Sequence, residues 1–139
     1  MLLTPEITKN LPALFAALLT ATLFIQSGVD KVVDWQGNLS FLKDHFSKSF
    51  VAPMVTPMLA AITVMELATG FLSAAGLIYF FAAGSLLLVF YASVIGAASI
   101  AALFFGQRVA KDYAGAAVLV PYFILMLLMM YLSSPVPLR

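Results

Sequence analysis

Apolar residues run through this chain in long unbroken stretches, separated by short polar connectors. Four uncharged stretches stand out: Asn10–Val29, Ser49–Met65, Leu67–Gln107 and Tyr113–Leu138. A helix needs about 20 mostly apolar residues to cross a bilayer, so the third stretch holds one span and part of another. The pattern predicts an all-α, polytopic membrane protein: an up-down bundle of four transmembrane helices with both termini on one side. The spans fall at about residues 11–29, 57–75, 80–104 and 113–132, and residues 1–139 read as a single membrane-embedded domain.

Local signals place the ends of these spans. Pro12 suits the first turn of span one, where a missing N–H costs nothing. Asp30, Lys31 and Asp34 mark its exit, and Trp35 sits where interfacial aromatics do. Thr56-Pro57 reads as an N-cap followed by proline at the first position of span two, and Gly76 as its C-terminal cap. A tight, uncharged turn follows, with Tyr79, Phe80 and Phe81 at the interface. In span three, Ala92 and Gly96, and Ser93 and Ala97, are small residues four apart, which permits close helix approach. Pro121 falls inside span four and predicts a kink.

The connector between spans one and two is not a plain loop. Leu39, Leu42, Phe46 and Phe50 recur at helical spacing, with Lys43, Asp44, Ser47 and Lys48 between them. This predicts a short amphipathic helix, lying on the membrane surface or folded over the mouth of the bundle.

Composition narrows the function classes. The chain is 63% hydrophobic and 9% charged, whereas a soluble domain carries about 25% charged residues. The lipid bilayer is therefore the first partner. A net charge of +1 suggests no nucleic-acid partner. Cysteine is absent, which excludes thiol redox chemistry and thiolate metal sites. One histidine, His45, makes a poor metal or haem site and reads as part of the solvated face of the connector helix. No metal site is expected. The first stretch has neither a basic flank before it nor a small-residue cleavage site after it, so it reads as a retained span. Lys31, Lys43, Lys48, Arg108 and Lys111 lie on the connector side, against Lys9 and Arg139 on the terminal side. The positive-inside rule then puts the connectors in the cytoplasm and both termini outside.

One carboxylate dominates the candidate chemistry. Glu66 is the only charged residue between Lys48 and Arg108 and falls near the middle of span two. An ionisable group at that depth costs about 2.5–3.5 kcal/mol on insertion scales, and such groups face a bundle interior or a wet cavity and have a partner. Thr63, Glu66 and Gly70 share a face, with Ser73 close behind. Either this face meets a ligand or cavity, or Glu66 is a structural carboxyl bonded to a neighbouring helix. The end of span one supplies partners: Gln26 and Asp30 share one face, Ser27 and Lys31 the next. With helix rise of about 1.5 Å per residue, depth matching favours Gln26 and Ser27 as direct partners of Glu66. Lys31 reads as a snorkelling lysine that reaches the carboxylate only by dipping inward or through water.

The string Ser27-Gly28-Val29-Asp30-Lys31-Val32-Val33-Asp34 at the end of span one resembles the DoxX family of small membrane proteins. Gly37 and Phe41-Leu42-Lys43-Asp44-His45-Phe46 resemble the connector of its MauE-like branch. Glu66-Leu67 followed by Gly70 looks like the family's second-span motif. Asp112-Tyr113-Ala114-Gly115-Ala116 and Pro121-Tyr122-Phe123 look like the start of its fourth span. The ordered set covers about the whole chain, and the arginines that many members carry near spans one and two are missing. The resemblance implies a four-helix bundle in a bacterial cytoplasmic (inner) membrane. It implies no single function, since such proteins include a subunit of a thiosulfate:quinone oxidoreductase, redox-defence proteins and distant cargo receptors.

Three functions remain in view. The first is an accessory subunit, not catalytic alone, that binds a lipid-soluble molecule or a partner membrane protein around Glu66. The second is a quinone-reactive oxidoreductase subunit, in which Glu66 handles the proton and Gln26 or Tyr91 holds the quinone. The third is a small transporter acting as a dimer, a homo-oligomer, because four helices alone make a narrow path and no inverted repeat is visible.

Overall fold

A computed structural model describes residues 3–137, and its described residues fold entirely as helix and connecting turns. Helix α1 spans Pro5–Val33, α2 Trp35–His45, α3 Val55–Ala83, α4 Leu87–Val109 and α5 Tyr113–Ser133, with a 3-10 turn at Ala52–Met54 before α3. Four of them, α1, α3, α4 and α5, are long and apolar enough to cross a membrane. The molecule is thus a multi-pass, all-helical bundle. Arg139, counted above toward the charge bias, lies outside the described residues.

Several helix ends differ from the sequence reading. Helix α1 begins at Pro5, capped by Thr4, whose Oγ1 accepts from the Ile7 amide at 3.3 Å. Pro12 therefore lies about two turns inside α1, not at its start. Helix α3 begins at Val55 without a side-chain cap, which puts Thr56 and Pro57 within the helix. At its other end α3 continues to Ala83, and the turn to α4 comes after Tyr79, Phe80 and Phe81. The stop is Gly84, in the left-handed region at φ 72°, with its amide donating to the Phe80 carbonyl at 2.7 Å. Gly76 is no cap. It is buried where α3 meets α4, and a β-carbon there would lie 2.9 Å from the Val89 backbone nitrogen. A glycine inside an apolar run can mark a stop or a close helix contact, and only the packing partner separates the two.

The layers follow the chain order. Helix α1 packs mainly on α3, α3 on α4, and α4 on α5, with α1 and α5 touching less. Ala92, Ser93, Gly96 and Ala97 on α4 are all buried, as small residues at a helix interface should be. The main core joins Ala17 and Phe24 of α1, Val89 and Ile100 of α4, and Met126 and Met129 of α5. Pro121 lies inside α5 and is exposed.

The amphipathic helix forms as its spacing predicts, and it folds over one end of the bundle. Leu39 and Phe46 are buried with Val51, Val55 and Leu59, and Trp35, Leu42 and Met58 pack against them. Trp35 belongs to this cluster and is half-buried. Phe50, the fourth position of the expected apolar face, is instead 78% exposed. The reason is that α2 ends at His45 and the chain turns through Phe46–Val51, so helical spacing no longer governs position 50. Asp34 and Asp112 mark the helix starts chemically: their Oδ1 atoms accept from the Gly37 and Gly115 amides at 3.2 Å and 2.9 Å, capping α2 and α5.

Candidate functional site

Helix α3 carries its polar residues on one buried line: Thr63, Glu66, Thr69, Gly70 and Ser73. Spacings of three and four keep them on one face. The hydroxyls of Thr63 and Thr69 donate back to the Leu59 and Met65 carbonyls at 2.7 and 2.8 Å, a local solution that leaves no donor exposed to hydrocarbon. Ser73 instead crosses to α1 and donates to the Ala17 carbonyl at 2.8 Å. Glu66, Gly70 and Ser73 form the seam between α3 and α1, whereas Thr69 packs beside Gly96 of α4.

Glu66 is 3% exposed and has two partners, both from the last turns of α1. Its Oε2 lies 2.8 Å from Lys31 Nζ and accepts from Ser27 Oγ at 3.2 Å. Lys31 also donates to Ser27 Oγ at 2.9 Å, which closes a triangle of three side chains. A buried carboxylate is costly unless it is paired and hydrogen-bonded, and this triangle meets both conditions.

Ser27 is therefore where depth matching placed it, and two other partners are corrected. Lys31, expected to snorkel away, makes the direct ion pair. Gln26, expected beside Glu66, is exposed and makes no side-chain hydrogen bond among the described residues. Both follow from helix geometry. Successive residues turn by about 100°, so when Ser27 and Lys31 face α3, Gln26 and Asp30 face outward. Asp30 is likewise exposed. Helical side chains tilt toward the N-terminus, and the tilt carries the long Lys31 stem back one turn to the level of Ser27. Counting residues by Cα height hides that reach. Tyr91 stands near the start of α4, at the opposite end of the bundle; it is 51% exposed and packs on Phe90. It takes no part in this site.

Beside the triangle lies a cavity of about 310 Å³, bounded by α2, α3 and α4 and reached by Lys31 from α1. Its wall is largely apolar: Phe41, Leu42 and Phe46 close it on one side, Ile62 and Met65 of α3 and Leu103 of α4 on the other. Lys31, Asn38, His45 and Gln107 supply the polar groups. A mostly apolar concavity of this size with a few placed polar groups is the usual form of a small-molecule site.

His45 also departs from its expected solvated face. It is half-buried, its Nε2 lies 2.8 Å from Gln107 Oε1, and its ring stacks on Phe41 with centroids 5.5 Å apart. Because Gln107 Oε1 can only accept, this contact places the proton on Nε2. Asp112 Oδ2 lies 3.7 Å from the same nitrogen. His45 thus ties the end of α2 to α4 across the cavity. Its spacing from Leu42 and Phe41 held no signal of this, since Gln107 is far away in sequence. Among the described residues, no three His, Asp or Glu side chains converge in a way that could hold a metal ion.

The chain matches no protein-family profile, no curated protein and no solved structure.

Proposed function

We propose that this chain is an integral membrane accessory protein of the DoxX type, with its cavity beneath α2 holding a lipid-soluble ligand. The observation that carries the reading is the position of Lys31. It stands in the wall of an otherwise largely apolar cavity and is anchored from behind by Glu66 and Ser27. The apolar wall suits a hydrocarbon body, and the ammonium gives it one fixed polar contact. Asn38, His45 and Gln107 add polar groups along the α2 and α4 walls. Binding is tested with the purified protein in lipid nanodiscs and a photoreactive hydrophobic probe. Labelling is expected at Ile62, Met65 or Leu103, and Leu103→Trp, which fills the cavity, should abolish it while helicity is retained. Probe labelling confined to the lipid-facing surface would overturn the reading.

A second reading is a quinone-reactive subunit of a membrane oxidoreductase. The chain Lys31–Ser27–Glu66 favours it, because it links a donor in the cavity wall to a buried carboxylate. Gln26 and Tyr91 do not line the cavity, so Lys31 would hold the quinone oxygen and Glu66 would handle the proton. Electrons would come from a partner protein. Reduction of a water-soluble quinone by membranes carrying the protein, lost in Glu66→Gln, would separate this reading from simple binding.

The same proposal places the protein in a bacterial cytoplasmic membrane, with the connectors in the cytoplasm and both termini outside. The charge bias supports the orientation. Cysteines introduced singly at Asn38 and Ser134 should react differently with an impermeant thiol reagent in intact cells. Labelling at Ser134 alone is expected; labelling at Asn38 alone reverses the orientation.

A further inference from the structure

Among the described residues, Lys31 is the one charged side chain in the cavity wall. Its ammonium carries three N–H groups and no acceptor. Two are engaged at close range, by Glu66 Oε2 at 2.8 Å and Ser27 Oγ at 2.9 Å. The remaining contact, to the Ser27 carbonyl, is 3.4 Å, beyond the ordinary N–H···O range of about 2.7–3.2 Å. Lys31 therefore keeps one weakly satisfied donor in an apolar wall.

The charge of that donor is already answered. Glu66 lies directly behind Lys31, and the pair together is neutral. An anionic head against Lys31 would also stand beside the Glu66 carboxylate, in surroundings that screen charge poorly. A cationic head would meet the ammonium itself. A plain hydrocarbon would leave the donor without an acceptor, which is costly in a dry site. An uncharged oxygen suffers none of these penalties. The other polar side chains of the wall already have partners: His45 and Gln107 are bonded to each other, and Asn38 donates to the Asp34 carbonyl.

Resting on the reading of the cavity as a ligand site, we propose that it selects an uncharged amphiphile whose hydroxyl or carbonyl oxygen accepts from Lys31, over an anionic lipid of the same length. Glu66 determines this specificity by cancelling the charge of Lys31; it positions and neutralises without touching the ligand.

The test uses the full chain in phosphatidylcholine nanodiscs at alkaline pH and four decyl probes bearing the same photoreactive group. Their heads are an alcohol, a methyl ketone, a carboxylate and a plain methyl. Crosslinks are located by mass spectrometry. The alcohol and ketone are expected to label Ile62, Met65 or Leu103 at several times the yield of the carboxylate or the alkane. Glu66→Gln should turn the preference toward the carboxylate, because the variant leaves Lys31 uncompensated. A merely structural role for Glu66 would lower all four yields together. Lys31→Met should bring alcohol and ketone down to the alkane level, and it decides the matter if Glu66→Gln fails to fold. A wild-type protein that labels best with the carboxylate, or equally with all four probes, overturns this proposal and leaves the ligand site standing. No cavity labelling by any probe overturns both.

Discussion

Gly70 on α3 lies against the backbone of Ile25 on α1: a β-carbon on Gly70 would stand 2.6 Å from the Ile25 amide nitrogen. One turn away along α3, Glu66 meets Ser27 and Lys31. The close approach of the two helices at Gly70 is what brings the carboxylate within bonding distance of α1. Gly70→Ala should therefore destabilise the protein by about 1–3 kcal/mol, the usual cost of overpacking where backbone cannot yield. Unfolding followed by circular dichroism in mixed micelles checks this. A variant as stable as the parent would mean that the seam is looser than these distances show.

The ion pair should behave as a unit. Glu66→Leu leaves the Lys31 ammonium without its counter-ion in a mostly buried place and should cost about 3–5 kcal/mol, the range for breaking a buried pair. The double variant Glu66→Leu, Lys31→Met removes both charges and should recover much of that loss. A double-mutant cycle in the same unfolding assay measures the coupling. Strictly additive losses would show that the two side chains do not stabilise each other.

Helix α2 should depend on Phe46 and not on Lys43. Phe46 is 7% exposed in the cluster with Leu39 and Val55, whereas Lys43 is exposed. Phe46→Asp creates a void and buries an unpaired charge, with an expected cost of about 3 kcal/mol or more. Lys43→Asp should stay within about 0.5 kcal/mol, as surface changes do. Similar losses in the two variants would place Phe46 outside the apolar cluster.

The bond between His45 and Gln107 should hold α2 over the cavity. Its loss in His45→Ala is expected to cost about 1 kcal/mol, the net worth of one hydrogen bond. The effect should be local: faster amide exchange across Trp35–His45, with α4 and α5 unchanged. Gln107→Ala should produce the same pattern, and the double variant no more than either single one. Unaltered exchange in α2 would leave the apolar cluster as its sole anchor.

Much of this architecture is legible in the sequence because it depends on hydropathy and period, which are properties of the chain alone. The four spans follow from uninterrupted apolar length. The existence of α2 follows from the spacing of Leu39, Leu42 and Phe46. The prominence of Glu66 follows from its isolation among uncharged residues, and that Ser27 meets it follows from depth along antiparallel helices.

The partners across the helices are a different matter. Gly76 reads as the stop of span two, whereas α3 stops at Gly84. Val89 packed on the first and the positive φ of the second distinguish a helix contact from a cap. Gln26 and Lys31 both lie near the end of α1, and nothing in their order reveals which faces inward. The rotation of α1 about its axis decides that, and packing against Gly70 and Leu67 sets the rotation. His45 meets Gln107 only because α2 folds back over the end of the bundle. Sequence by itself determined the spans, the amphipathic helix and the one buried carboxylate. Tertiary structure alone decided that Lys31 neutralises that carboxylate and stands in the wall of a cavity, because the choice among neighbouring residues rests on contacts between segments far apart in the chain.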